Sequence, residues 1–169
     1  MSPFREAEER DLPALTALIN EAYAPAEGFL YEGPRITAEA VGEKLARGRF
    51  LLAHDEDGAI CACVHVTITG ESGYFGLLSV SPAHQGRGLG RALAMAAEAF
   101  CLARGCRAVT IDVVNHRHEL IPFYASLGFE VVGQRPFDDA RLNRPAHFVL
   151  MRKALDDDSR AREVGPKQP

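Results

Sequence analysis

Tyr74-Phe-Gly-Leu-Leu-Ser-Val-Ser-Pro-Ala-His-Gln-Gly-Arg-Gly-Leu-Gly-Arg-Ala-Leu93 decides how the rest of the chain is read. Tyr74 to Val80 is an apolar run with β-branched and aromatic members, which is strand chemistry. Pro82 breaks it, because proline has no N–H to give a sheet ladder. Gln85-Gly-Arg-Gly-Leu-Gly90 follows and opens directly into an alanine- and leucine-rich helical pattern. A glycine-dense turn at a helix start has a particular use. The first helical amides lack partners, and the helix dipole puts partial positive charge there. Glycines let the backbone approach an anion closely and take positive φ. Such a turn is a pocket of N–H donors for phosphate, and Arg87 and Arg91 add positive charge beside it.

Three kinds of phosphate loop compete for these residues. A nucleoside-triphosphate loop needs Gly-Lys-Ser/Thr at its end, and there is none. A dinucleotide fingerprint needs G-x-G-x-x-G followed by an acidic residue about 20 positions on. Asp112 falls in that window, but Arg91 stands where the third glycine belongs, and the loop comes mid-chain rather than after a first strand. That leaves a nucleotide-binding oxidoreductase as the lesser alternative.

The third kind fits. Leu78-Ser-Val-Ser-Pro82 followed by Gln85-Gly-Arg-Gly-Leu-Gly90 resembles the acyl-coenzyme A loop of the GNAT superfamily of N-acetyltransferases. Pro122-Phe-Tyr-Ala-Ser-Leu-Gly-Phe129 is similar to that family's Phe-Tyr-x-x-Leu-Gly-Phe segment, in the right order and one strand later. The resemblance implies a GNAT-like α/β fold, with six to seven strands, four helices and splayed central strands. It implies acetyl-CoA as acyl donor, with backbone groups of Leu78, Ser79 and Val80 along the pantetheine arm. The amides of Gln85, Gly86, Arg87, Gly88, Leu89, Gly90 and Arg91 would hold the pyrophosphate. Tyr124 matches the family tyrosine that protonates the leaving thiolate; its ordinary reading is a packed aromatic with a satisfied hydroxyl. Seven positions before its tyrosine the family frequently has a cofactor-contacting Asn; here that position is Arg117, with Asn115 two residues earlier, and both are candidate cofactor contacts.

The general base is less marked. Tyr74 to Val80 holds no carboxylate, so Glu71 just before the strand and His65 on the neighbouring strand are the candidates. Each also has an ordinary structural reading. A non-catalytic acyl-CoA-binding module is therefore the second alternative. The expected reaction is direct attack by an amine on the bound thioester; the acceptor, a small molecule or a peptide, is open.

Around this centre the chain reads as one α/β domain over 1–155. Asp11 is placed to cap a helix bearing Leu15, Leu18, Ile19 and Tyr23, and Ala24 to Arg35 reads as an unusually apolar loop. Thr37 caps a second helix ending at Gly48. Phe50 to Ala53 and Ile60 to Thr69 form a hairpin across Asp55-Glu-Asp-Gly58. Strict alternation puts Ile60, Ala62, Val64, Val66 and Ile68 on one face, and Cys61, Cys63, His65, Thr67 and Thr69 on the other. Strands over 108–114, 129–133 and 147–152 complete a mixed sheet covered on both faces. Arg141, Arg144 and His147 lie in or beside a late polar loop that reads as solvated. Positions 156–169 are almost without apolar residues and read as a flexible tail.

At 169 residues a chain buries roughly 70% of its unfolded surface, so neither metal nor disulfide is needed to hold it. The formal charge of −4, without a basic patch, argues against nucleic acid, and leans toward a cationic acceptor. No run reaches membrane-spanning length and no apolar signal core opens the chain, which points to the cytoplasm. The four cysteines read as reduced, and a metal site at Cys61, Cys63 and His65 is disfavoured because the outer two lie about 13 Å apart on a strand. A homodimer is compatible with the family resemblance.

Overall fold

The computed structural model describes residues 3–155, so the tail expected over 156–169 lies outside the described residues. Seven strands form one sheet: β1 (Arg5–Glu6), β2 (Arg49–His54), β3 (Ile60–Thr69), β4 (Ser72–Val80), β5 (Ala108–Val114), β6 (Glu130–Pro136) and β7 (His147–Ala154). Four helices accompany them: α1 (Leu12–Glu27), α2 (Ala38–Arg47), α3 (Leu89–Ala103) and α4 (Leu120–Ser126). The sheet order is β1-β2-β3-β4-β5-β7-β6, antiparallel at every pairing except β4 with β5. That parallel pair needs a crossover, and α3 supplies it.

Each face of the sheet is closed by its own helices. Leu93, Ala94, Ala97 and Cys101 of α3 pack with Val64, Val66, Phe75, Val109 and Phe129. Leu15, Leu18 and Ile19 of α1 and Val41 of α2 pack with Phe50, Leu52 and Cys63 on the opposite face. Burying side chains such as Leu15, Phe50 and Phe75 completely contributes roughly 1.5–3 kcal/mol each. The Asp55–Gly58 turn forms as expected, with Gly58 at φ 81° and Asp55 N bonded to Ala59 O at 2.9 Å. Thr37 Oγ1 accepts from Ala40 N at 3.2 Å and caps α2.

Three expectations are corrected. Asp11 does not cap α1: its own backbone is already helical, and its carboxylate takes Arg5 Nη1 and Nη2, both at 2.8 Å, and Glu8 N at 2.8 Å. It thereby closes a short 3-10 turn over Glu9–Asp11. Secondly, Ala24 to Glu27 is helix, not loop, although Pro25 stands in its last turn. Proline there forfeits one helical hydrogen bond, and tertiary ties outweigh it: Leu30 and Tyr31 just beyond are buried, and Glu27 is locked by ion pairs. Thirdly, Ile60 and Cys61 exchange faces. The β2–β3 register slips between Ala53 and His54, so Cys61 joins the α3 cluster while Ile60 packs with Cys63.

Candidate functional site

The site lies where β4 parts from β5. Ser72, Gly73 and Tyr74 pair with Ala108, Val109 and Thr110, and the parallel ladder stops there. From Phe75 onward β4 keeps only its β3 neighbour, so its other edge presents unpaired backbone groups to the gap. A bulge sharpens the departure. Gly76 pairs with His65 and Ser79 with Cys63, which leaves Leu77 and Leu78 opposite Val64 alone. Leu77 takes φ 51°, a left-handed conformation that costs an L-residue roughly 1–2 kcal/mol. Its carbonyl accepts from Ser79 Oγ at 2.9 Å and from Cys63 Sγ at 3.8 Å, and its side chain is buried against the α1 face. Phe75, two residues earlier, belongs to the α3 face.

An inner cavity of about 270 Å³ fills the gap, walled by Phe75 to Leu78 on one side and Ile111 to Val114 on the other. An outer cleft of about 650 Å³ runs past Leu78, Val80, Gln85 and Gly90, and shares Tyr23, Leu78, Arg117 and Leu120 with the inner cavity. A third hollow of about 300 Å³ beside α2 shares Lys44, His65 and Tyr74 with it. The inner cavity is thus approached from two directions.

The outer cleft ends at the glycine loop. Gly86 and Gly88 sit at φ 76° and 82°, where any other residue is strained, so the backbone alone explains them. Gly90 needs no such explanation: it is helical, and a Cβ there would come no nearer than 3.9 Å to Val80 Cγ2. It lines the cleft, where a bare backbone permits close approach. The α3 N-terminus has no side-chain cap, and its first internal bond runs from Ala92 N to Gly88 O at 3.0 Å. The amides before Ala92 are therefore available to an anion. Gln85 Nε2 donates to Val80 O at 3.1 Å and ties the loop to the end of β4. Leu89 packs against the α3-side core, while Arg87 and Arg91 are exposed.

Tyr124 lines the inner cavity from α4, its ring held against Phe75, Phe123 and Phe129. Its hydroxyl has no hydrogen-bond partner among the described residues, so it is not the satisfied core tyrosine of the ordinary reading. Burial raises its pKa well above the usual phenol value, keeping it a proton carrier at neutral pH. Tyr74, hydrogen-bonded to Asp112 Oδ2 at 3.5 Å, is pushed up to about 12, by burial first and by Asp112 second.

His65 lies on the cavity wall, buried, its ring 4.6 Å from that of Phe50. Its Nε2 is 2.8 Å from Lys44 O; a carbonyl only accepts, so Nε2 carries the proton. Burial, aided by the Lys44 charge, pulls its pKa below the ordinary value, so it is neutral at pH 7. Cys61 Sγ donates to Ala53 O, and burial pushes the Cys63 thiol up to about 12, which leaves neither a ready nucleophile.

Not every residue singled out in the sequence comes to this place. Glu71 stands on the turn before β4, 69% exposed and paired with Arg107 at 3.4 Å. Six residues of extended chain, about 20 Å, separate it from Leu77. Asn115 lines neither cavity; its Oδ1 accepts from His147 N at 2.9 Å, tying β5 to β7. Ser79 is buried with its hydroxyl turned to the Leu77 carbonyl. Arg117 does reach the site, lining both inner cavity and outer cleft, and pairs with Glu27 at 3.1 Å and Glu119 at 2.6 Å. Arg141 and Arg144 are engaged elsewhere: Arg141 with Asp139 and Pro34 O, Arg144 over the Phe29 ring.

Five further charged groups appear that sequence reasoning did not place here. Glu27, at the end of α1, is almost wholly buried between Arg117 and Arg35, the latter at 3.7 Å. Lys44 comes from α2, and Asp112 on β5 is paired with Arg135 of β6. The apolar run Phe29-Leu30-Tyr31 was the one signal that this segment is packed rather than solvated.

Among the described residues, a mixed sheet opens beside its one parallel pairing, with an uncapped glycine-rich helix start at the end of the opening; this defines a class of α/β folds with an anion-binding cleft between two strands. The chain belongs to the Acetyltransferase (GNAT) family, whose model matches residues 12–129. The fold is shared with the ribosomal-protein-S18-alanine N-acetyltransferase from Escherichia coli, at TM-score 0.76 and 19% identity, covering 98% of this chain and 97% of that one. It is shared with a phosphinothricin acetyltransferase from Sinorhizobium meliloti in complex with acetyl-CoA, at 0.74 and 19%, over 91% and 88%. A putative acetyltransferase from Salmonella typhimurium with its cofactor acetyl-CoA matches at 0.70 and 21%, over 98% of each chain. Among the described residues no helix is long and apolar enough to cross a membrane, and no cluster of three or more His, Cys, Asp or Glu side chains is placed to hold a metal ion.

Proposed function

We propose that this chain is a cytoplasmic N-acetyltransferase that moves an acetyl group from acetyl-CoA to a primary amine by direct attack. The observation that carries this is the gap between β4 and β5, which joins the uncapped α3 loop to the free Tyr124 hydroxyl. The pyrophosphate belongs on the amides of Gln85 to Arg91, with Arg87 and Arg91 beside them, and the pantetheine arm along Leu78 and Val80. Acetyl-CoA supplies the reactive thioester. The unpaired edge of β4 at the Leu77–Leu78 bulge offers backbone donors to the thioester oxygen. As the amine nitrogen forms its bond to the carbonyl carbon and the carbon–sulfur bond breaks, Tyr124 gives its proton to the departing sulfur. The amine's proton leaves to solvent through the hollow beside α2, past His65, which is neutral and able to relay it through Nδ1. Glu71 is too far away to take part, so His65 is the base candidate that this reading retains. A homodimer is compatible with it.

Calorimetric titration of the full chain with acetyl-CoA, with coenzyme A and NAD as controls, tests the reading. Gly88→Glu, which puts a carboxylate into the loop, should abolish binding, while Gly88→Ala controls for strain at φ 82°. Preference for NAD, or no acetyl-CoA binding by the intact protein, overturns the acyltransferase reading. Tight binding with no thiol release from any amine would favour a non-catalytic acyl-CoA-binding module.

A further inference from the structure

The charges around the inner cavity do not balance. Arg35, Lys44, Arg117 and Arg135 line it against two carboxylates, Glu27 and Asp112. Asp112 is taken by Arg135, and Glu27 by Arg117 at 3.1 Å. Arg117 also has Glu119, on the rim of the outer cleft, so it is fully compensated. Arg35 is compensated only in part, and Lys44 less still. Arg35 shares Glu27 with Arg117, reaching it at 3.7 Å, and its buried Nε has no hydrogen-bond partner among the described residues. Its guanidinium lies over the rings of Tyr23 and Tyr31, at 5.2 and 5.5 Å from their centroids, which fixes it in place. Lys44 has no carboxylate partner among the described residues. Its pKa is lowered by burial first and by Arg35 second, as expected of a partly buried cation that faces another cation.

We infer that the acceptor is a small amine that carries a carboxylate or comparable anionic group, seated between Arg35 and Lys44. The inference rests on the acyltransferase reading above and deepens it. Two partly buried cations with only a share of one carboxylate between them are costly unless a ligand neutralises the surplus. The −4 charge of the whole chain points toward a cationic acceptor, but charges beyond about 10 Å are screened, and the nearest charges set the potential inside the cavity. The same surplus has a second effect. It disfavours the ammonium form of a bound amine, so the nucleophile is released from its proton with less demand on a general base. This accounts for a site whose two carboxylates are both tied up in ion pairs.

The test uses the full chain with acetyl-CoA and matched acceptors: free L-amino acids, the corresponding carboxamides, a short peptide, and a linear diamine. Release of coenzyme A thiol is followed for each, beside the acetyl-CoA titration. Free amino acids should exceed their carboxamides by tenfold or more in kcat/KM. Lys44→Met should abolish that ratio by raising KM for the acid, while its affinity for acetyl-CoA stays within twofold. If carboxamide, peptide or diamine is used as well as the acid, or if Lys44→Met leaves the ratio intact, the inference is overturned. Acetyl-CoA binding without turnover of any carboxylate-bearing amine also counts against it. Absence of acetyl-CoA binding instead removes the acyltransferase reading beneath it, so the two failures are distinguishable.

Discussion

Replacing Glu27 by Gln changes one buried charge and almost nothing in shape. Its carboxylate is 4% exposed and contacts Arg117 at 3.1 Å and Arg35 at 3.7 Å. At an effective dielectric constant of about 20 the two contacts are worth roughly 5 and 4 kcal/mol before desolvation. Removing three charges from water offsets most of that, so the intact cluster adds little net stability. Breaking it is another matter, because two partly buried guanidinium groups lose their shared anion; such changes typically cost about 3–5 kcal/mol. For a chain of this size each kcal/mol moves the melting temperature by roughly 2–4 °C, so Glu27→Gln should melt about 10 °C lower. Differential scanning calorimetry at pH 7 measures it. Adding Arg35→Met to Glu27→Gln should recover part of the loss, since the stranded cation is then gone. A Glu27→Gln melt within about 2 °C of the parent would show that solvent already screens the cluster, and would refute its description as buried.

Tyr124→Phe should lower kcat by about a hundredfold or more with acetyl-CoA affinity unchanged; an unaltered kcat would exclude Tyr124 as the acid. Because that hydroxyl has no partner among the described residues, the same variant should melt within about 2 °C of the parent, unlike a tyrosine whose hydrogen bond is lost. Acid should weaken the Arg5–Asp11 pair. The two hydrogen bonds hold the Asp11 carboxyl at about 2, below its unfolded value, so its contribution is complete above pH 5 and disappears as pH falls toward 2. Discounted for the half-exposed Arg5, this is about 1–2 kcal/mol; Asp11→Asn should remove that slope from urea melts between pH 5 and 2.5. Gly73→Ala should be strongly destabilising, because a Cβ there would meet Cys101 Sγ at 2.4 Å in a packed layer; an unchanged melt would mean α3 yields more readily than its burial suggests.

The glycine loop was legible because backbone demands leave a direct trace: positive φ at 86 and 88 can be met comfortably only by glycine. The β3 and β4 strands were legible because burial leaves its mark on the side chains: Cys61 to Val66 are all buried, and every second residue of β4 from Gly73 to Ser79 is. Glu27, Arg35 and Lys44 were not, since each looks like a solvated charge until the α1–α2 connection folds them over the gap. Asp11 misled for a related reason: its local pattern fits a cap, but Arg5, brought near by β1, offers two stronger hydrogen bonds. Face assignments in β3 failed only at Ile60 and Cys61, where a register slip, invisible to period-two counting, intervenes. Glu71 stood close to β4 in sequence, and the extended chain carried it to the wrong end.

Mechanically, the sheet is two plates, β1 to β4 and β5 to β7, stitched together along a seam of three residue pairs. A seam that short resists sliding at one end and leaves the other end free to gape. The pair Tyr74 and Thr110 is the fulcrum, and everything beyond it acts as lever arms. Tyr74 also lines the inner cavity, so whatever enters presses on the hinge itself.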